Sequence, residues 1–494
     1  HLLVDESTEA HSGVRCLSGE ITRPNTHHEI KRTVRVSKDS IYTFEIWARA
    51  THSTKLVLWA VKPGEQQRTM VNAWERVPPR WTRYRIPITV GADGDLVLQI
   101  IAPSSHGAPP GTIWIDDIAL YETRLPPAIT VSAETDVADE PALAPAGDGS
   151  LYLAWLGYRQ GADSLQAARY TTNDDGTLNR THTWELIAPG KTTFLLHPTV
   201  VGTANGAWVL YSREQSETDW DIFAVALGPG GPGRTVALTQ ADGVDIKPRG
   251  AWWQETLWVT WESNRSGERS VLVSSMRDGR VAPPRELSSP GQSDYAPDIA
   301  ILDTGLVAVA WHSFRQDNYD IYLRKMVAPG DWGPEQRLTH AATIDRHVSL
   351  AARGSELWLA YENAQSIAYR VGTTRDRHVT VARVEADGAL SAPKGLDTSC
   401  LAERCEAARM GFDSAGRLWV LHLRPRGARS GWDAFVTAFT GASWTPPART
   451  SAALGRDTTP SLAISGGTVT IAAQKQATLN SFVNEEEAAK DTAR

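Results

Sequence analysis

Cysteine is scarce in this chain, three among 494 residues, so a framework of disulfides cannot be what holds it together. Stability must come from buried apolar area. No apolar run approaches the ~18 residues that a membrane-spanning helix needs, so the body is not inserted in a bilayer. Positive charge is not in excess: 50 Lys and Arg stand against 57 Asp and Glu, a net charge of -7. That balance excludes a general nucleic-acid role, which relies on a basic surface. HExxH, GxSxG and P-loop patterns are also missing. What the chain does have is 19 Trp, 39 Gly and 28 Pro, the ingredients of strands and tight turns in an all-β protein.

One phrase of roughly fifty residues recurs between Pro141 and Pro460. A short apolar strand turns through Gly or Asp into a second strand that ends in an aromatic residue. The second strands are LYLAW (Leu151 to Trp155), WVLY (Trp208 to Tyr211), LWVTW (Leu257 to Trp261), LVAVAW (Leu306 to Trp311) and LWLAY (Leu357 to Tyr361), with a weaker LWVLH (Leu418 to His422). The phrase opens at Pro141, Pro198, Pro248, Pro297, Val348, Ala408 and Pro460, at spacings of 57, 50, 49, 51, 60 and 52. A third strand starts with Asp at Asp221, Asp320 and Asp433, and that Asp is expected to bond backbone amides of its turn.

Such a period fits four antiparallel strands, the blade of a β-propeller. A single four-stranded sheet cannot cover its own two apolar faces, whereas sheets stacked radially cover each other. The aromatic that ends each second strand is expected to fill the wedge between blades. Pro126-Pro127 forms a stiff hinge, and AITVSAET (Ala128 to Thr135) follows as a strand with no hairpin partner. Placed as the outer strand of the last blade, beside PSLAI, TVTIAAQ and a third strand at Leu479 to Val483, it predicts a seven-bladed ring over 128–483. Six blades with a stray hairpin is the alternative. Residues 484–494 are polar, without an apolar stripe, and read as a tail or linker.

Residues 1–124 lack the repeat and read as about eight alternating strands, a jelly-roll β-sandwich. The stretches Tyr42-Thr43-Phe44-Glu45-Ile46-Trp47-Ala48-Arg49-Ala50, Trp81-Thr82-Arg83-Tyr84 and Gly111-Thr112-Ile113-Trp114-Ile115-Asp116-Asp117-Ile118-Ala119-Leu120-Tyr121-Glu122 resemble jelly-roll carbohydrate-binding modules. The resemblance implies a structural calcium held in part by Asp117, because carboxylates suit this hard ion. It also implies sugar stacking on flat rings. Trp74, in the loop-like VNAWERVPPR, is the first candidate, with Trp59 and Trp81 beside it; Trp47 and Trp114 sit inside apolar strands. Cys400 and Cys405 lie close enough to close a small disulfide loop, and Cys16 stands far from both.

In a propeller, first strands and the loops after second strands converge on the channel mouth. Arg159, Arg213, Glu262, His312 and Glu362 fall there, a set suited to clamping a charged sugar, with His312 and a Tyr or Glu as general base and acid. The same segments also serve as plain turns. Sialidases have propellers, but their Ser-x-Asp-x-Gly-x-Thr-Trp turn is absent, and TNDDGT at Thr172 is only a partial echo. The wording AWHSFRQDNYDIYLRK followed by WGPEQRLT resembles the propeller of large exported bacterial proteins in which a metal-dependent phosphoesterase-like domain follows. That resemblance implies an exported recognition protein, non-catalytic in this chain, binding a glycan or a partner protein. The rival readings are a carbohydrate-active enzyme, lyase or glycoside hydrolase, working in the channel, and a component of a cell-surface assembly.

Overall fold

In a computed structural model, the described residues run from 3 to 476 apart from short segments, the longest being 104–110, 367–373, 393–400 and 426–431. The proposed third strand at Leu479 to Val483, the polar tail and Cys400 lie outside the described residues. Every regular element among them is a strand, and none is a helix that could cross a membrane. Two compact units form: His1–Ala128 with Ala448–Ala453, and Ile129–Pro447 with Leu454–Arg494.

The first unit is a sandwich of two antiparallel sheets. One runs in the order Leu3–Asp5, Cys16–Ile21, Gly111–Arg124, Ser40–Ala50, Thr82–Ile88; the other runs His27–Val36, Gly94–Pro103, Thr54–Val61, Thr69–Val77. Alternation along each strand sends one face inward. Phe44, Ile46, Leu56, Leu58, Leu96, Ile113 and Ile115 make one core between the sheets. The stretch VNAWERV, expected as a loop, is the strand Thr69–Val77, in which two register breaks let Val71, Trp74 and Val77, spaced three apart, all meet that core.

Among the described residues the second unit holds seven sheets, spanning 137–187, 195–237, 245–286, 293–337, 344–391, 406–439 and 456–476, with Ala448–Arg449 as a short last strand of the sixth. The first six have four or five strands, and the last has two described strands, Arg456–Ser465 and Thr468–Gln476. The innermost strands touch in cyclic order, and Arg456–Ser465 returns against Val137–Pro145 of the first sheet. We number these sheets as blades 1 to 7. The aromatic expected between blades is there: Trp261 and Trp311 are fully buried, as are Tyr211 and, nearly so, Trp155 and Tyr361. Each such ring removes enough apolar surface from water to be worth roughly 2–3 kcal/mol.

Two expectations need correction. Two of the repeated Asp residues bond side chains from beyond their own turn: Asp221 accepts from the Thr239 hydroxyl (2.8 Å), and Asp320 from Thr339 (3.3 Å) and Arg337 (2.8 Å). The same hydroxyls accept the amides of Ile222 and Ile321, and Ser288 does so for Val271, so a Leu-Thr or Leu-Ser pair pins each of three third strands. The latch also differs. Ala128 to Ser132 carry no strand, and the Val131 carbonyl accepts from the Arg180 guanidinium at 3.1 Å rather than from a neighbouring strand. Val131 docks by its side chain, into a cluster that holds Leu143, Trp155, Ala463 and Ala472.

Candidate functional site

All seven innermost strands break register once, with one extra residue in the strand. The residue at the break has a left-handed backbone every time: Glu140, His197, Lys247, Ala296, His347, Ala407 and Thr459, with φ between 45° and 56°. Side chains other than glycine rarely adopt this region, and a following proline normally pushes its predecessor toward extended backbone. A bulge re-aims the side chain it carries. Here it sets seven side chains at the end of the ring where first strands begin and second strands finish.

Facing the bulges is one register position of the second strands. Glu262 pairs with Ile246, His312 with Tyr295 and Glu362 with Arg346, each immediately before a break. These three accept the bulge amide of the next blade: Ala296 donates to Glu262, His347 to the Nδ1 of His312 (3.4 Å) and Ala407 to Glu362 (2.7 Å). Blade 1 has Leu156 at this position, which cannot accept, and there Glu140 itself takes the amide of His197. An orphaned amide at a break would cost about 1–3 kcal/mol, so each acceptor has a structural reason to be polar.

The two carboxylates also hold basic side chains at the mouth. Glu262 is fully buried and receives Lys247 Nζ (2.8 Å) and Arg269 Nη1 (3.0 Å), whose side chains stay 38% and 37% exposed. Arg269 also lies over the Tyr295 ring at 5.8 Å, and Arg346 over the Tyr319 ring at 5.4 Å. Tyr295 stacks on His312, and Tyr319 tilts against both. Glu362 lies 2.9 Å from the Nδ1 of His347, a half-exposed ring set edge-on to His312. Burial alone would push the Glu362 carboxyl up, but the His347 contact, the Ala407 amide and Arg377 outweigh it and hold it below the ordinary range. His312 is held well below an ordinary histidine by burial first and then by the charges of His347, Arg346 and Lys247. It is a neutral ring accepting at Nδ1 and is 5% exposed.

Of the five channel candidates, Glu262, His312 and Glu362 therefore come together, in blades 3 to 5. Arg213 pairs one residue further along, with Leu195, and lies over the Phe223 ring at 4.6 Å. Arg159 lies three residues past Leu156 and lines a cavity of about 160 Å³ in blade 1 with Trp155, Tyr158 and Glu185. Sequence reasoning missed His347, Lys247, Arg346 and Tyr295. The available signal was position: His347 and Lys247 directly precede Val348 and Pro248, the residues that open the repeat.

No protein-family model matches the chain, and no curated protein sequence matches it. Its backbone is similar to solved glycosidase structures. These include an α-L-arabinofuranosidase from Fusarium graminearum (10% identity, 58% of this chain and 88% of that one, TM-score 0.37). A Trypanosoma rangeli sialidase is similar over 58% of this chain and 53% of its own (12% identity, TM-score 0.38). The NanB sialidase of Streptococcus pneumoniae is similar over 93% of this chain and 96% of its own (8% identity, TM-score 0.38). At such TM-scores the likeness carries no argument about the site, which rests on its own geometry.

In the first unit the three tryptophans do not share a face. Trp74 packs on the core beside Tyr84 (5.1 Å). Trp59 lies on the outer face of the four-stranded sheet under Arg68 (4.9 Å). Trp81 belongs with Trp47 and Trp114, set aside in the sequence as interior, which alternate outward from Ile46, Ala48, Ile113 and Ile115. His11 stacks on Trp47 at 3.6 Å, and Arg49 lies 4.2 Å over Trp114. Asp117 accepts from the Ser12 hydroxyl (2.6 Å) and His11 Nδ1 (2.8 Å), and Asp116 accepts the amides of His11 and Ser12. Calcium takes six to eight oxygens. Both carboxylates are engaged by donors here, backbone carbonyls could also contribute oxygens, and no cluster of three or more His, Cys, Asp or Glu placed for a metal occurs among the described residues. Cys405 is buried with its Sγ 3.0 Å from the Leu401 carbonyl; its pairing with Cys400 falls outside the described residues.

Proposed function

We propose that the mouth over blades 3 to 5 binds an acidic glycan. The observation that supports this reading is the buried Glu262, which fixes two half-exposed cations, Lys247 and Arg269, beside the ring of Tyr295. Pre-set cations lose little freedom when they meet a carboxylate or sulfate, and the flat faces of Tyr295 and Tyr319 suit the apolar face of a pyranose. Arg346 adds a third positive group. Exposed positive groups at such a mouth favour the approach of anionic ligands. Polysaccharide is met outside the cytoplasm, which agrees with the exported location expected from the sequence.

Affinity electrophoresis of the whole chain in gels containing polygalacturonate or alginate, against gels containing neutral arabinan, tests this. Retardation by an acidic polymer that weakens with salt and with Lys247→Met is the expected result. Equal retardation by arabinan, or none by either acidic polymer, overturns the reading.

A further inference from the structure

We propose that this mouth catalyses β-elimination on a uronic-acid glycan, with His347 as general base; the inference rests on the acidic-glycan reading above. The ring of His347 is fixed three ways. Its Nδ1 lies 2.9 Å from Glu362, its ring stands perpendicular to that of His312 (88°, centroids 5.4 Å apart), and its backbone is held in the bulge by the bond from its amide to His312 Nδ1. Donation from Nδ1–H to a carboxylate places the lone pair on Nε2, and the side chain is 47% exposed. A buried carboxylate orienting an accessible imidazole is the arrangement of a base with its positioning group.

The surrounding groups favour elimination over hydrolysis. Hydrolysis of a glycosidic bond normally uses two available carboxyl groups on either side of the bond. Here Glu262 is bound by two cations and an amide, Glu362 by His347 and the Ala407 amide, and Glu140 by the His197 amide in another blade. What remains at least partly exposed is an imidazole, the Tyr319 phenol that leans on His312, and the cations Arg346 and Lys247.

Those parts fit a balanced step. Nε2 of His347 takes the proton from the carbon α to the uronate carboxylate, and Arg346 and Lys247 stabilise the charge that builds on that carboxylate. The electron pair forms a carbon–carbon double bond as the bond to the neighbouring glycosidic oxygen breaks. That oxygen takes the Tyr319 hydroxyl proton, and the proton on His347 returns to the phenolate through water. No oxidant or reductant enters. Glu362 acts through His347 and is a positioning residue.

The test follows ultraviolet absorbance of the new double bond when the whole chain is incubated with polygalacturonate, alginate or hyaluronan, with retention in the same polymers measured in parallel. Wild type should raise the absorbance. His347→Ala and His347→Gln should lower the rate on the order of 100-fold or more while retention persists. Glu362→Gln, which keeps an acceptor for the Ala407 amide but presents a donor to His347, should lower kcat with KM little changed and alter the pH profile. Retention without absorbance, new reducing ends without absorbance, or full activity in a folded His347→Gln protein each overturns the elimination and leaves the binding reading intact. Retention by none of the three polymers overturns both.

Discussion

The amide of Leu143 donates to the hydroxyl of Ser461 at 3.0 Å, joining the innermost strands of blades 1 and 7 across 318 residues of chain. Equivalent side chains make the same cross-blade bond elsewhere: Asp298 accepts the amide of Leu350 (2.7 Å), and Ser349 that of Met410 (3.3 Å). At the join, no covalent connection backs the bond. Ser461→Ala should cost about 1 kcal/mol in denaturant unfolding. Hydrogen exchange should speed up first in 456–476 and 137–145. A uniform change across all blades would show that the join is no weaker than any other interface.

His422 stands where five other blades carry Trp or Tyr. It is fully buried against Phe435, and neither ring nitrogen makes a well-formed hydrogen bond. Burial pushes its pKa from 6.5 down to about 4, with the Val420 backbone opposing. A folded pKa below the unfolded one means that protons favour unfolding. The stability contribution is full above pH 6.5 and is lost as pH falls through 4, to the extent of about 3 kcal/mol. His422→Phe should raise stability at pH 7 and flatten the acid limb. His197, pushed to about 4 by burial, Lys247 and Arg249, should leave part of the slope behind. Asp345, pushed up to about 6 by burial, works the other way: its contribution is present below 3.8 and lost as pH rises through 6. Comparing variant with wild type at each pH cancels both. A variant curve parallel to wild type from pH 4 to 7 would refute the assignment.

Trp74 packs against the sandwich core rather than standing on a surface. Trp74→Ala should destabilise the first unit by about 3 kcal/mol, the cost of truncating a largely buried aromatic. Trp59→Ala, on the outer face, should cost well under half as much. Chemical unfolding followed by tryptophan fluorescence separates the two. Equal losses would place Trp59 in a packing role that its place on the outer face does not suggest.

The ring was legible because its cause is periodic: Trp155, Tyr211, Trp261, Trp311 and Tyr361 recur at a spacing that only stacked blades bury. The same counting brought Glu262, His312 and Glu362 to one level. What the sequence hides is the bulge. Lys247, before a proline, reads as extended, and no residue beside His347 announces a turn toward the mouth, so the eye goes to the buried His312 instead of the exposed His347. Face assignment failed for a related reason in the first unit. Trp47 and Trp114 lie in apolar runs, yet Arg49 directly after Ala48 shows the alternation that sends Trp47, Arg49 and Trp114 outward. The latch misled because 128–132 is apolar enough for a strand, while the Val131 carbonyl is already taken by Arg180.

Glu262 has both a packing and a functional reason to be where it is, and two changes separate them. Glu262→Gln keeps an oxygen for the Ala296 amide and releases Lys247 and Arg269, which are exposed enough to hydrate, so the stability loss should be about 1–2 kcal/mol. Lys247→Met with Arg269→Met instead strands a fully buried carboxylate, which should cost about 3–5 kcal/mol unless it takes up a proton. That escape gives a signature: the double variant should regain stability as pH is lowered, whereas Glu262→Gln should not. Retention by acidic polysaccharide should weaken in both, because one loses the cations and the other loses their placement. If Glu262→Gln binds as tightly as wild type, the cations need no anchor, and the clamp is a packing device alone.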